Sequence, residues 1–145
     1  MSQQVFQFDL ADVLVTWGSF IIDGPGDGNF VEIKYDNPMV SEHEGGLGDV
    51  TILINKSKKG TATIVLGQST PNNNPFGAAV IAQRNGGSLV KAPLTVSHKR
   101  GISKAFARTA YVRVPPGLAF GMQHNNREWE LGLADLELVI GGNVG

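Results

Sequence analysis

GGLGDVTILINKSKKGTATIVLGQSTPNNNPFGAA, residues 45–79, is the stretch whose reading decides the fold. An apolar–polar alternation over residues 50–54 enters a polar turn at 55–60, and a second alternation leaves it over 61–67. Val50, Ile52 and Ile54 share one face of the first run, and Ala62, Ile64 and Leu66 share one face of the second. Thr51, Thr61 and Thr63 fall on the opposite side, because side chains in a strand alternate with a period of two. The pattern predicts a central hairpin with its apolar face held to the core and a threonine-bearing face turned outward. A Pro/Asn-rich break follows. Pro75 suits the first position of a helix after an Asn cap, and Gly86-Gly87 suits its end. A helix over 76–85 would turn Phe76, Val80 and Ala79 inward.

Upstream, residues 6–16 (FQFDLADVLVT) predict a first strand or an ordered arm, with Val13 and Val15 as core positions, punctuated by Trp17-Gly18. A short strand at 19–23 (SFIID) and a strand at 30–36 (FVEIKYD) flank the turn signal GPGDGN at 24–29, which reads as a hairpin. In the second of these, Val31, Ile33 and Tyr35 share one face and Phe30, Glu32 and Lys34 the other. Residues 37–48 (NPMVSEHEGGLG) have no helical period and several breakers, so a long loop is expected. Long loops inside a compact domain are often functional.

Downstream, 88–98 (SLVKAPLTVSH) is a strand interrupted by Pro93, hence an edge or bulged strand. Residues 102–114 alternate with a phase change that predicts a bulge. Pro115-Pro116-Gly117 ends that run, and 118–126 reads as a loop or distorted strand. The last strand, 129–140 (WELGLADLELVI), shifts phase at 132–134, where another bulge is expected. The fold class that results is mainly β: an antiparallel β-sandwich or small β-barrel with one flanking α-helix, in a single domain over 1–145.

A chain of 145 residues is long enough to bury a core without staples. It has no cysteine, which excludes disulfides, thiolate metal sites and cysteine nucleophiles. The opening MSQQVFQFDL has neither a basic region nor a long apolar run, so neither a signal peptide nor a membrane span is expected, and synthesis in the cytoplasm is the default. Charges are segregated along the sequence. Residues 1–55 carry nine acidic side chains and one basic, 56–127 eleven basic and none acidic, and 128–145 four acidic and none basic. Either sheet topology interleaves these blocks, or an acidic and a basic face survive folding. Two unlike faces would suit head-to-tail association into rings or filaments.

No constellation points to catalysis. SEHEGG at 41–46 sets His43 between two glutamates, a possible divalent-metal group, but neighbours in sequence do not easily converge, and a solvated loop is the plainer reading. His98 and His124 are isolated, and no Gly-x-Ser-x-Gly elbow is present. GPGDGN lacks the Gly-Lys-Ser/Thr ending of a phosphate loop and leads into a strand. Lys99, Arg100, Lys104, Arg108 and Arg113 could contact nucleic acid, yet aromatics are sparse among them, and a charged sheet face or subunit interface is favoured.

Three segments together carry a family resemblance: VTWGSFIIDGPGDGNFVEI, GDVTILINKSKKGTATIVLGQSTPNNNPFGAAV and REWELGLADLELVIGGN. With this order of elements, from about residue 9 to 143, the chain resembles the tail tube proteins of contractile-tailed bacteriophages, relatives of the type VI secretion tube protein. The resemblance implies a structural protein without enzymatic activity or cofactor. Six protomers would form a ring, and rings would stack head-to-tail into the inner tube through which the genome leaves. Partners would be further copies of the chain, the tail sheath, the tape measure and baseplate or terminator proteins. Double-stranded DNA would pass through without specific binding. The location would be the virion tail, assembled in the host cytoplasm, with no membrane contact. Carried over by position, Met39, Val40, Ser41, Glu42, His43, Glu44 and Leu47 would touch neighbouring subunits. Glu32, Lys34, Thr51, Thr61 and Thr63 are candidates to face the lumen. A secretion-system tube or baseplate subunit, and a small β-barrel ligand-binding module, are the alternative readings.

Overall fold

The computed structural model describes residues 10–22, 30–99, 101–122 and 125–141. A single 3-10 turn at Leu10–Asp12 leads into ten strands and one helix. In order these are β1 (Val13–Trp17), β2 (Phe20–Ile22), β3 (Val31–Tyr35), β4 (Val40–Glu44), β5 (Val50–Ile54), β6 (Gly60–Gly67), α1 (Asn73–Gly86), β7 (Ala92–His98), β8 (Lys104–Val114), β9 (Asn126–Leu133) and β10 (Leu136–Val139). Eight strands form one antiparallel sheet, ordered β2-β1-β7-β8-β9-β6-β3 with β10 also paired to β8; β4 and β5 form a separate two-stranded sheet. The fold is therefore mainly β with one helix, as the alternation implied.

Burial follows the period-two pattern. Val15 and Trp17 of β1, Ala62, Ile64 and Leu66 of β6, and Trp129, Leu131 and Leu133 of β9 all enter one apolar cluster. Val31, Ile33 and Tyr35 of β3 pack against it. The sheet rolls onto itself, so that Val13 of β1, Ile33 of β3 and Leu138 of β10 face one hollow. The Tyr35 hydroxyl donates to the Leu136 carbonyl at 3.2 Å and accepts from the Leu138 N–H at 3.2 Å, tying β3 to β10.

One end of the roll is plugged by α1. Its Phe76 is fully buried, with ring centroids 5.1 Å from Trp17 and 5.4 Å from Trp129. Asn73 anchors the first turn. Its side-chain amide donates to the carbonyls of Gly67 and Thr70 at 2.9 and 3.0 Å, and its oxygen accepts from the Trp129 indole at 2.8 Å. The helix thus starts two residues before Pro75, which sits within the first turn where its missing N–H costs nothing. It stops at Gly87, whose φ of +69° places it in the left-handed region and whose N–H bonds the Gln83 carbonyl.

The central hairpin differs from the sequence reading. β5 and β6 do not pair. β6 lies inside the main sheet, with five registered pairs to β3 and eight to β9. β5 pairs with β4, which forms within the segment expected to be a loop. Val50, Ile52 and Ile54, expected to hold the hairpin to the core, are 59%, 64% and 75% exposed. The reason lies in the links. Residues 55–59 cross between sheets without turning back, whereas GGLGD supplies the tight connection, with Gly45 N–H bonded to the Asp49 carbonyl at 2.7 Å. β2 and β3 do not form the expected hairpin either, since β2 pairs with β1 and β3 with β6. The GPGDGN segment at 24–29, residues 6–9 of the first predicted strand, Arg100, His124 and the closing residues 142–145 lie outside the described residues.

The bulges fall near where phase changes placed them. Ala105, Ala107, Ala110 and Val112 of β8 are buried, so the phase slips by one residue between 107 and 110. Pro93 sits at a register shift between β7 and β8, so its lack of an N–H removes no ladder bond; β7 is bulged but internal, between β1 and β8. The last strand is broken at Ala134-Asp135 into β9 and β10, which together run along β8.

The aromatic plug should be the most sensitive part of the core. Phe76→Ala is expected to cost about 3–5 kcal/mol, read by denaturant unfolding followed through the fluorescence of the two flanking tryptophans.

Candidate assembly surfaces

β3 and β6 run antiparallel and adjacent, and residues 36–59 are inserted between them. The Asp36 N–H bonds the Lys59 carbonyl at 3.0 Å, directly beyond the Tyr35/Gly60 pair, so the ribbon continues outward from the main sheet. The Asn55 N–H bonds the Met39 carbonyl at 2.9 Å and starts the β4–β5 ladder. All ten residues of β4 and β5 are exposed. This is an arm supported only at its base.

Registered partners give the arm two unlike faces. Val40, Glu42 and Glu44 lie opposite Ile54, Ile52 and Val50, so one face has an aliphatic edge on β5 and a carboxylate-bearing edge on β4. Ser41 and His43 lie opposite Leu53 and Thr51 on the other face. Strand alternation therefore sends His43 away from Glu42 and Glu44, which separates the three potential metal ligands; among the described residues no group of three or more metal-binding side chains converges. Leu47, at the tip, is 95% exposed. An isolated two-stranded hairpin is at best marginally stable in water, and an exposed apolar edge is a template for association.

A second surface is the outer face of β3, β6 and β9. Glu32 pairs across with Thr63, and Lys34 with Thr61. Thr63 in turn lies opposite Glu130, and Val65 opposite Glu128. Thr61 shares this face but is only 8% exposed. Its hydroxyl donates to Asp36 Oδ1 at 2.6 Å and accepts from Arg113 Nη1 at 3.1 Å. Arg113 also lies 3.8 Å from the Asp36 carboxylate and 4.0 Å from Glu130. Beside this network the Tyr111 ring lies over Gly132, where an added Cβ would come within 2.6 Å of it, so only glycine leaves room for the cross-strand aromatic.

Of the residues proposed to line a lumen, Glu32, Lys34, Thr61 and Thr63 thus occupy one sheet face, whereas Thr51 stands on the arm. Met39, Val40, Ser41, Glu42, His43, Glu44 and Leu47 are together on the arm. Sequence reasoning missed Val50, Ile52 and Ile54 as surface residues, and the Arg113–Asp36–Glu130 network. The glycine turn at 45–48 was the available signal for the first. The second joins residues 94 apart in sequence, between 36 and 130, and has no local signature.

Topology also mixes the charge blocks in part. Lys58 of the basic middle segment is 3.4 Å from Glu137 and 4.0 Å from Asp135, while Arg113 reaches both acidic ends of the chain. The arm escapes this mixing and keeps Glu42, Glu44 and Asp49. The β7–β8 connection does not, because the Lys99 N–H bonds the carbonyl of Asp12, from the acidic first block, at 2.9 Å. No helix of the described residues is long and apolar enough to cross a membrane.

No family model and no curated protein matches the sequence. Solved structures do match. The cryo-EM structure of the anti-feeding prophage cap, a tube-terminating cap, aligns with a TM-score of 0.64 at 15% identity, covering 97% of this chain and 95% of that one. The sheath/tube terminator of an extracellular contractile injection system, PVC, in its extended state aligns at 0.59 and 16% identity, covering 94% and 99%. A chain of the PVC sheath–tube complex aligns at 0.59 and 16%, covering 92% of each. The chain shares its fold with all three. At such identities the likeness concerns the fold, and it extends over nearly the whole of every chain compared.

Two stability measurements separate the surfaces. Thr61→Val removes a hydroxyl that both donates and accepts, and is expected to cost about 1–2 kcal/mol in denaturant unfolding. Ile52→Asp, on the unsupported arm, should change protomer stability by no more than about 0.5 kcal/mol in the same assay.

Proposed function

We propose that this protein is a ring-forming structural subunit of a contractile tail or injection device, working in its inner tube. The observation that carries this reading is the β4–β5 arm. Ten strand residues with an aliphatic edge stand clear of the protomer, on a fold shared along its length with chains of such devices. An arm of this kind gains a core only from another molecule. Arm and receiving surface are different patches of the same chain, which is the arrangement that closes into rings or continues into helical stacks.

In this reading the protomers form rings, six being the expected number, that stack head-to-tail. The outer face of β3, β6 and β9 supplies the wall of the bore, with Glu32, Lys34, Thr61 and Thr63 on it. Glu32, Glu128 and Glu130 give that face few partners for phosphate, and its Arg113 is engaged by Asp36 and Glu130. Nucleic-acid affinity comes chiefly from neutralising phosphates, so such a bore lets double-stranded DNA slide in a phage tail. Sheath, tape measure and baseplate or terminator proteins are the heterologous partners, and the virion tail is the site of action in the phage case. The protein acts as a building block, not as an enzyme.

A second reading is the ring that ends the tube, because two of the structures compared above are a tube-terminating cap and a sheath/tube terminator. Negative-stain electron microscopy of the concentrated protein decides between them. Tubes of indefinite length are the expected product of a tube subunit, and discrete rings that do not stack mark a terminator. A monomer at every concentration and salt overturns both. Ile52→Asp is expected to abolish assembly while leaving the protomer folded by circular dichroism.

A further inference from the structure

Among the described residues, the roll of the main sheet is plugged by α1 at one end and open at the other. There, between β1, β3, β7, β8 and β10, lies an open cavity of about 400 Å³. Val13, Ile33, Val96, Leu138 and Val139 are among its walls, and Lys104 stands on its rim. The protein's own arm does not fill it, since every residue of β4 and β5 is exposed. Among the described residues, the aliphatic edge therefore has no cover and the aliphatic hollow no plug.

The charges of the two surfaces are complementary. On the arm, Glu42 stands beside Ile52 and Glu44 beside Val50, so the carboxylates fringe the aliphatic edge on one side only. On the receiving side the cation is Lys104. We propose that the β5 edge of the arm seats in this cavity of a second copy of the chain, with Glu42 and Glu44 set against Lys104 at its rim. The inference rests on the ring-forming reading above and adds to it the receiving site and its register. Burying aliphatic side chains in the hollow supplies the attraction, and the one-sided charge fringe fixes which way round the arm enters. Because donor and acceptor surfaces differ, each copy gives its arm to one neighbour and receives the arm of another.

The absence of native cysteine makes the test clean. Ile52→Cys and Val139→Cys proteins are purified separately, mixed under assembly conditions and oxidised. A disulfide forms only where Cα atoms come within about 7 Å, so a mixed disulfide in at least severalfold excess over either homodimer is the expected result. Lys104→Glu should raise the concentration at which rings form by about tenfold. Adding Glu42→Lys and Glu44→Lys to the same chain should bring it back. Rings that assemble without the mixed disulfide, or charge variants with no rescue, overturn this inference and leave the ring-forming reading standing. A disulfide within one chain between Val139→Cys and Phe6→Cys, in place of the mixed one, assigns the cavity to the protein's own first residues and also overturns it. Wild-type protein that never assembles overturns both.

Discussion

The whole sheet is organised by the clamp of Phe76 between Trp17 and Trp129. The helix contributes little else to the interior. Of its fourteen residues only Asn73, Phe76 and Ala79 are buried. Each tilted aromatic pair adds about 0.5–1.5 kcal/mol beyond the area it buries. The clamp also brings together strands far apart in the sheet order, since β1 and β9 are separated there by β7 and β8. Both indoles are satisfied: Trp17 donates to the Ala110 carbonyl at 3.2 Å, and Trp129 to Asn73. Asn73 is thereby fixed in one orientation by three hydrogen bonds, and it carries the start of the helix with it. A buried polar residue is here the hinge between helix, sheet and the turn after β6.

The clamped interior and the arm differ in what they find within the protomer. Around Phe76 the aromatic rings and the polar atoms of Trp17, Asn73 and Trp129 are all partnered. On the arm the aliphatic side chains are exposed. This division accounts for why an apolar run such as VTILI can stand in water without being an error of folding. It is a core whose other half belongs elsewhere. The charge pattern follows the same division. Where β6 and β8 bring the basic segment between the acidic ends, ion pairs form inside the protomer. Where the chain loops out, at the arm, like charges stay together.

Much of the fold was legible because local alternation and turn chemistry were sufficient for it. The helix, the bulge at Pro93, the phase slip in β8 and the break before β10 each leave a mark within a few residues. Pairing was less legible. The run 50–54 and the run 61–67 each read correctly as strands, but the first pairs with 40–44 and the second with 31–35 and 126–133, and nothing short-range distinguishes neighbours in sequence from neighbours in space. Strand β4, with its SEHE core, has weak strand propensity and exists because β5 pairs with it. The direction of Val50, Ile52 and Ile54 was misread because an apolar face normally signals a core within the same chain. In an assembling protein that inference fails at the surfaces that matter most. The outer-face network of Asp36, Thr61, Arg113 and Glu130 was invisible for a different reason: its members come from four strands or strand ends, and no spacing rule joins them.

The ribbon that carries the arm has a mechanical consequence. β3 and β6 pass into β4 and β5 through residues 36–39 and 55–59, which lie outside the strands and are tied together by the bond from the Asp36 N–H to the Lys59 carbonyl. A pull on the arm along its length loads the strands in shear. β6 is held in register on both sides, by β3 and by β9, so its ladders must yield together and cannot peel one bond at a time. A push sideways meets only the hinge at the ribbon's base. The protomer is thus stiff in tension and compliant in bending, which is the behaviour of a tie-rod with a pivoted end.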